Sequence, residues 1–137
     1  MPEDIQPAEA VALAFARAIS RQSVADLAGL MTEDHVFIDA LGNRVSGKSK
    51  MMAAWEAYFR MVPDYRVTVE ESFPHGPVVL LFGTAQGTYA AQGVLLPENR
   101  WSTPAAWRVV VRGPLVAEWR VYADNQPIRQ IMARHRG

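Results

Sequence analysis

The spacing of apolar residues changes character midway along the chain. From Pro7, a residue suited to the first helical position, Val11, Phe15 and Ile19 recur at i, i+4 and i+8 with alanines on the same side, which predicts an amphipathic helix. SVADLAGLM predicts a second, short helix: Ser23 can cap it, Asp26 stands three residues on, and Val24, Leu27 and Leu30 form a stripe. HVFIDALG then alternates as a strand and runs into the turn LGNR. A third helix is predicted over SGKSKMMAAWEAYFRMVPDY, with Met51, Trp55, Tyr58 and Val62 on one face and Pro63 as its stop.

Beyond that point the period becomes two. YRVTVEESF places Tyr65, Val67, Val69, Glu71 and Phe73 on one face, and Pro74, Gly76 and Pro77 break the strand. VVLLFGTAQGTYA is a long apolar strand in which Gly83 and Gly87 permit a sharp bend or a bulge. GVLLPENR reads as a connection. WSTPAAWRVVVR and LVAEWRVYAD read as strands joined at Gly113-Pro114, close enough for a hairpin. Trp107, Val109, Trp119 and Val121 share the face expected to point inward; Arg108, Val110, Arg112, Glu118, Arg120 and Tyr122 share the other. NQPIRQIMARHRG predicts a short terminal helix with Pro127 near its start. Helices followed by antiparallel strands define an α+β chain. The expected architecture is a curved antiparallel sheet wrapped around the N-terminal helices. This would be a cone-shaped α+β barrel with an internal pocket, formed by residues 1–137 as a single domain. Such a pocket is the usual place for a small ligand.

Composition narrows the function. Half of the 137 residues are apolar, enough for a real core, and 14 Lys plus Arg balance 14 Asp plus Glu. That balance favours neither nucleic acid nor an anionic membrane surface as a partner, and it leaves self-association unopposed. The absence of cysteine excludes disulfides, thiolate metal sites and a cysteine nucleophile. MPEDIQPAEA lacks the basic and apolar regions of a signal peptide, and no apolar stretch is long enough to span a membrane, so a cytoplasmic location is expected. Three scattered histidines give no metal spacing, and His35 reads as a strand-edge histidine. No phosphate loop or Ser-His-Asp arrangement is visible, and neither a cofactor nor a metal is expected.

One residue stands out against the pattern. Asp39 follows Phe37 on the same parity of an otherwise half-buried strand. A buried carboxylate without a partner is costly. Either Asp39 opens a solvated turn with Gly42 and Asn43, or it sits in a pocket and does chemistry.

The element order α-α-β-α followed by a β-meander, with DLAGLMTEDHVFIDALG, SGKSKMMAAWEAYF, PDYRVTVEE and EWRVYAD, resembles a known superfamily over nearly the whole chain. That superfamily groups nuclear transport factor 2, ketosteroid isomerase, scytalone dehydratase, limonene epoxide hydrolase and the SnoaL-like polyketide cyclases. Its fold hosts unrelated activities. Resemblance to ketosteroid isomerase implies a general base at Asp39, in IDALG, while the positions of its two oxyanion donors fall on Phe15 and on or near Ala105, which cannot donate. Resemblance to limonene epoxide hydrolase implies an Asp–Arg–Asp set, but FGTAQG carries no charge and Val121 stands at the key acid position. Scytalone dehydratase would want inward histidines; His75 lies in a turn and His135 near the terminus.

The expected site therefore has Asp39 as general base and a ligand pocket of Phe15, Phe37, Trp55, Tyr58, Ala105, Trp107, Trp119 and Val121. Asp124 is a second candidate acid, or else a helix cap. The expected function is a small hydrophobic-ligand pocket protein. As an enzyme it would be a cofactor-independent isomerase, cyclase or lyase, and not a true ketosteroid isomerase. The alternative is a non-catalytic ligand-binding or dimerisation module. The resemblance further implies a homodimer packed through the outer sheet face.

Overall fold

The computed structural model describes residues 7–135. The expectations drawn from the first six residues and from Arg136 and Gly137 lie outside them. Helix α1 (Pro7–Ser20) starts at its proline and buries Ala12, Phe15, Ala16 and Ile19 along one stripe. Helix α2 (Val24–Gly29) is capped by Ser23, whose hydroxyl accepts the Asp26 N–H at 3.1 Å. It ends earlier than its apolar stripe suggested, because Met31 already enters strand β1 (Met31–Ile38). Helix α3 (Lys48–Met61) buries Met51, Trp55 and Phe59, and Pro63 follows its end.

The sheet continues with β2 (Arg44–Ser46), β3 (Arg66–His75), β4 (Val78–Ala91), β5 (Val94–Arg112) and β6 (Leu115–Ala123), and the chain ends in α4 (Gln126–Arg134). Its order is β2-β1-β6-β5-β4-β3. It is curved and does not close. Every neighbouring pair is antiparallel except β1 with β6, which run parallel with Phe37 beside Trp119. Helix α1 packs on β3 and α3 on β1, and the core lies between helices and sheet around Phe15, Trp107 and Trp119.

Three local features differ from the sequence expectation. LGNR is more than a turn: its arginine begins β2, which pairs back onto β1. GVLLPENR is not a loose connection. Gln92 and Gly93 take positive φ (54° and 80°), the signature of a tight hairpin turn, and β5 starts at Val94. Finally, the β3–β4 register shifts between Val69 and Glu71. The extra residue turns Phe73 outward, where it is 52% exposed, and turns Ser72 toward α1, where it donates to Glu9.

His35 is fully buried rather than at a strand edge. Its ring stacks on Phe15 (centroids 5.7 Å), and Nδ1 donates to the Val116 carbonyl at 2.8 Å, leaving Nε2 without a partner. Burial depresses its proton affinity below the ordinary 6.5, against smaller opposing effects of the Val116 carbonyl, Asp34 and Glu118. Above about pH 6.5 both folded and unfolded chains hold it neutral. Below that, the unfolded chain takes a proton that the folded site resists, so stability falls as pH falls. Thermal melts between about pH 7.5 and 5.5 are expected to show this decline, with a shallower slope in His35→Gln, whose amide can still donate to Val116. An unchanged slope in that variant would show that His35 is not the group responsible.

Candidate functional site

The site is built where β1, α3 and β6 meet the turns beside them. The β1 strand delivers Phe37 to the inner face and then ends. Asp39 opens the turn into β2: its Oδ1 accepts the N–H groups of Leu41 and Asn43, both at 2.9 Å, and Oδ2 accepts from Asn43 Nδ2 at 3.2 Å. Gly42 takes φ +89° in this turn, a conformation that favours glycine. Asp39 also borders a cavity of about 270 Å³. Both readings of this residue thus hold geometrically. It anchors a turn and lines a cavity, using three of the roughly four acceptor positions of a carboxylate on the turn.

Helix α3 contributes Met51, Ala54, Trp55 and Tyr58 to the wall, one turn apart along one face. Tyr65 enters from the loop after α3. That loop is held by Asp64, whose carboxylate accepts the Thr88 N–H and hydroxyl, both at 2.7 Å. The approach requires Gly87, since a Cβ there would lie 2.3 Å from Val62 Cγ1. Trp119 and Val121 come from β6, and Ala40, Val45 and Asn125 from the turns and β2.

The aromatic walls meet edge to face. Phe37 and Trp55 cross at 75°, Trp55 and Tyr58 at 84°, and Tyr58 and Tyr65 at 89° with centroids 5.0 Å apart. Phe59 stacks on Trp55 without lining the cavity. Burial pushes the proton affinity of both phenols well above that of an ordinary tyrosine, and at Tyr58 the neighbouring Tyr65 adds to it. Both remain neutral donors at physiological pH. Among the described residues no hydrogen bond ties either hydroxyl to the protein, and the indole N–H of Trp55 is buried without a partner.

The structure thus brings Phe37, Asp39, Trp55, Tyr58, Trp119 and Val121 together. It places the other expected residues elsewhere. Phe15 is packed in the core against His35 and Trp119. Trp107 and Ala105 are buried along β5 away from the cavity, and Trp107 stacks toward Trp119 (6.2 Å). Asp124 is exposed and is not the helix cap: Asn125 holds that position without a side-chain cap bond, and the Asp124 carboxylate accepts the Gln126 N–H at 2.9 Å in the turn before α4. Ala40, Val45 and Asn125 were not legible as site residues, because turns and strand ends carry no periodic signal; Tyr65 was legible only as an inward-facing residue. Met51 and Ala54 were within reach of the α3 periodicity. Among the described residues no cluster of side chains suits a metal ion, and no helix is long and apolar enough to cross a membrane.

A family model described as a SnoaL-like domain matches residues 12–129. The chain belongs to the SnoaL-like family. Many solved structures share this SnoaL-like fold. A candidate SnoaL-like polyketide cyclase from Shewanella putrefaciens superposes with a TM-score of 0.81 at 16% identity, covering 96% of this chain and 99% of its own. An LEH-like epoxide hydrolase from Mycobacterium tuberculosis gives 0.76 at 17% identity, with 94% and 91% covered. A protein of ketosteroid isomerase-like fold from Catenulispora acidiphila, in complex with trimethylamine, gives 0.72 at 19% identity, with 82% and 83% covered. Among curated proteins none matches. At these identities the SnoaL-like neighbours establish the fold, and chemistry must come from the residues in place.

Proposed function

We propose that this SnoaL-like chain is a small-ligand pocket protein that carries out cofactor-independent proton transfer, with Asp39 as general base and Tyr58 and Tyr65 as electrophilic donors. The observation that carries this reading is one carboxylate and two neutral phenols, Tyr65 buried and Tyr58 partly buried, around an apolar cavity. Asp39 would take a proton from carbon next to a carbonyl. The electron pair would move onto the carbonyl oxygen, and the phenol O–H groups of Tyr58 and Tyr65 would donate to that oxygen as charge develops. Return of the proton to another carbon gives an isomer; attack of the enolate on a second carbonyl gives a ring; loss of a leaving group gives a lyase reaction. The donors would do the work that Phe15 and Ala105 cannot do, so steroid isomerisation in the manner of ketosteroid isomerase is not expected.

The test needs no known substrate. Wild-type protein is expected to speed exchange of α-hydrogens for deuterium in small aryl ketones, followed by NMR. Asp39→Asn keeps an oxygen acceptor for the turn and is expected to slow that exchange by about 10²-fold or more while the melting temperature stays nearly the same. Undiminished exchange in the variant would remove Asp39 from the chemistry. A second reading, a non-catalytic binding module, is favoured by the three hydrogen bonds that tie Asp39 into its own turn. Binding of the ketones without exchange would select it.

A homodimer through the outer sheet face is part of the same proposal, as is a cytoplasmic location. Phe73, Leu80, Phe82 and Tyr122 are 38–52% exposed on β3, β4 and β6. Phe73 and Phe82 meet edge to face, Arg120 lies 4.9 Å over the Tyr122 ring, and Arg108 pairs with Glu118 at 2.8 Å. Apolar and aromatic groups with arginine are the composition of an interface core. Light scattering is expected to give twice the 15.2 kDa chain mass; the mass of one chain would refute the dimer.

A further inference from the structure

The cavity carries a charge asymmetry that an apolar ligand would leave unused. Its lining contains a carboxylate, Asp39, and no lysine, arginine or histidine. Its walls are aromatic, and successive rings from Phe37 through Trp55 and Tyr58 to Tyr65 turn by 75–89°. Rings set at right angles to their neighbours cannot all turn only their edges to one guest, and aromatic faces are negative. An anionic guest would meet the like charge of Asp39 and no counter-ion. A neutral guest would gain contact area and at most a hydrogen bond to the carboxylate, with no charge pairing. A small cation would gain both the ring faces and the carboxylate, which offset its lost hydration.

We propose that the ligand of this cavity is a small organic cation, an alkylammonium or quaternary ammonium group seated against Trp55, Tyr58 and Phe37 with Asp39 as its counter-ion. The inference rests on reading this cavity as a ligand site. It is compatible with proton transfer there: an ammonium group two or three bonds from the reacting C–H lies within coulombic reach of the same carboxylate and makes that C–H more acidic.

The test compares three molecules of one shape. Choline is the cation, 3,3-dimethylbutan-1-ol its uncharged carbon isostere, and 3,3-dimethylbutanoate the anion. Binding to the full chain is followed by tryptophan fluorescence, since Trp55 and Trp119 line the cavity, and by calorimetry. Choline is expected to bind about tenfold or more tightly than the neutral alcohol, and the anion least of all. Asp39→Asn is expected to bring choline down toward the alcohol and to leave the alcohol unchanged. Ala54→Phe, which puts a ring in the mouth of the cavity, is expected to abolish binding of both. Equal or tighter binding of the alcohol to wild-type protein, lost in Ala54→Phe, would overturn the cation and leave the pocket reading standing. Failure of all three molecules and of the aryl ketones to bind would overturn both. The wild-type comparison needs no variant, so a poorly folded Asp39→Asn would not shield the proposal.

Discussion

Gly83→Ala is expected to destabilise the protein by at least about 3 kcal/mol and to lower Tm by roughly 10 °C. Gly83 pairs with Val69 on β3, next to the register shift. A Cβ at Gly83 would lie 1.8 Å from the Thr68 carbonyl oxygen, 2.9 Å from its carbon and 3.1 Å from Val69 Cα. All three are backbone atoms of a paired strand, so no side-chain rotation relieves the contact. Either the ladder separates there or the bulge rearranges, and Phe73 and Ser72 then lose their settled faces. Gly29→Ala is the control: it has ordinary backbone and nothing within 4 Å, and is expected to change stability by less than about 1 kcal/mol. Thermal denaturation followed by circular dichroism measures both. A Gly83→Ala protein that melts with the wild type would show that β3 and β4 do not approach this closely.

Trp119→Ala is expected to cost about 3–5 kcal/mol, a large share of the stability of a chain this size. The side chain is 1% exposed. It lies 4.8 Å from Phe15 and 6.2 Å from Trp107, and its other side borders the cavity. Removing it therefore opens the cavity into the core instead of leaving a sealed void. Urea denaturation is expected to give the loss in stability, and the variant is expected to accept bulkier ligands than the wild type. A loss under about 1 kcal/mol would mean that the neighbouring rings collapse into the space and that Trp119 is not a wall.

The faces of β5, and of β6 from Glu118 onward, were legible because the alternation is regular there; the irregularity between Val110 and Val111, where Ala117 is the extra residue, lies at the hairpin end. Trp107, Val109 and Trp119 are buried while Arg112 and Tyr122 are exposed, as the period of two requires. On β3 the same logic fails beyond Val69, since a bulge reverses parity and leaves no mark in the residues YRVTVEESF. Parity also says which face a side chain takes, not where along that face the core opens. Phe15, Trp107 and Trp119 all point inward, yet only Trp119 reaches the cavity, because the first two lie where helix α1 closes on the sheet. Tyr65 was visible as an inward residue but not as a site residue. Its place depends on Asp64 reaching Thr88 and on Gly87 leaving room, contacts across more than twenty positions. Asp39 presented a choice between turn and pocket that no sequence pattern could resolve, because the turn itself forms the rim of the pocket.

The central claim is that the cavity beside Asp39 is where this protein meets its ligand. A crystallographic screen of small aromatic ketones, amines and quaternary ammonium compounds tests it most directly. The expected result is that bound molecules concentrate in the cavity, in contact with Trp55 and Tyr58 and with their carbonyl or ammonium group directed at the phenols or at Asp39. Bound molecules gathered instead on the outer sheet face or in the groove between α1 and β3, with the Asp39 cavity unoccupied throughout, would contradict it.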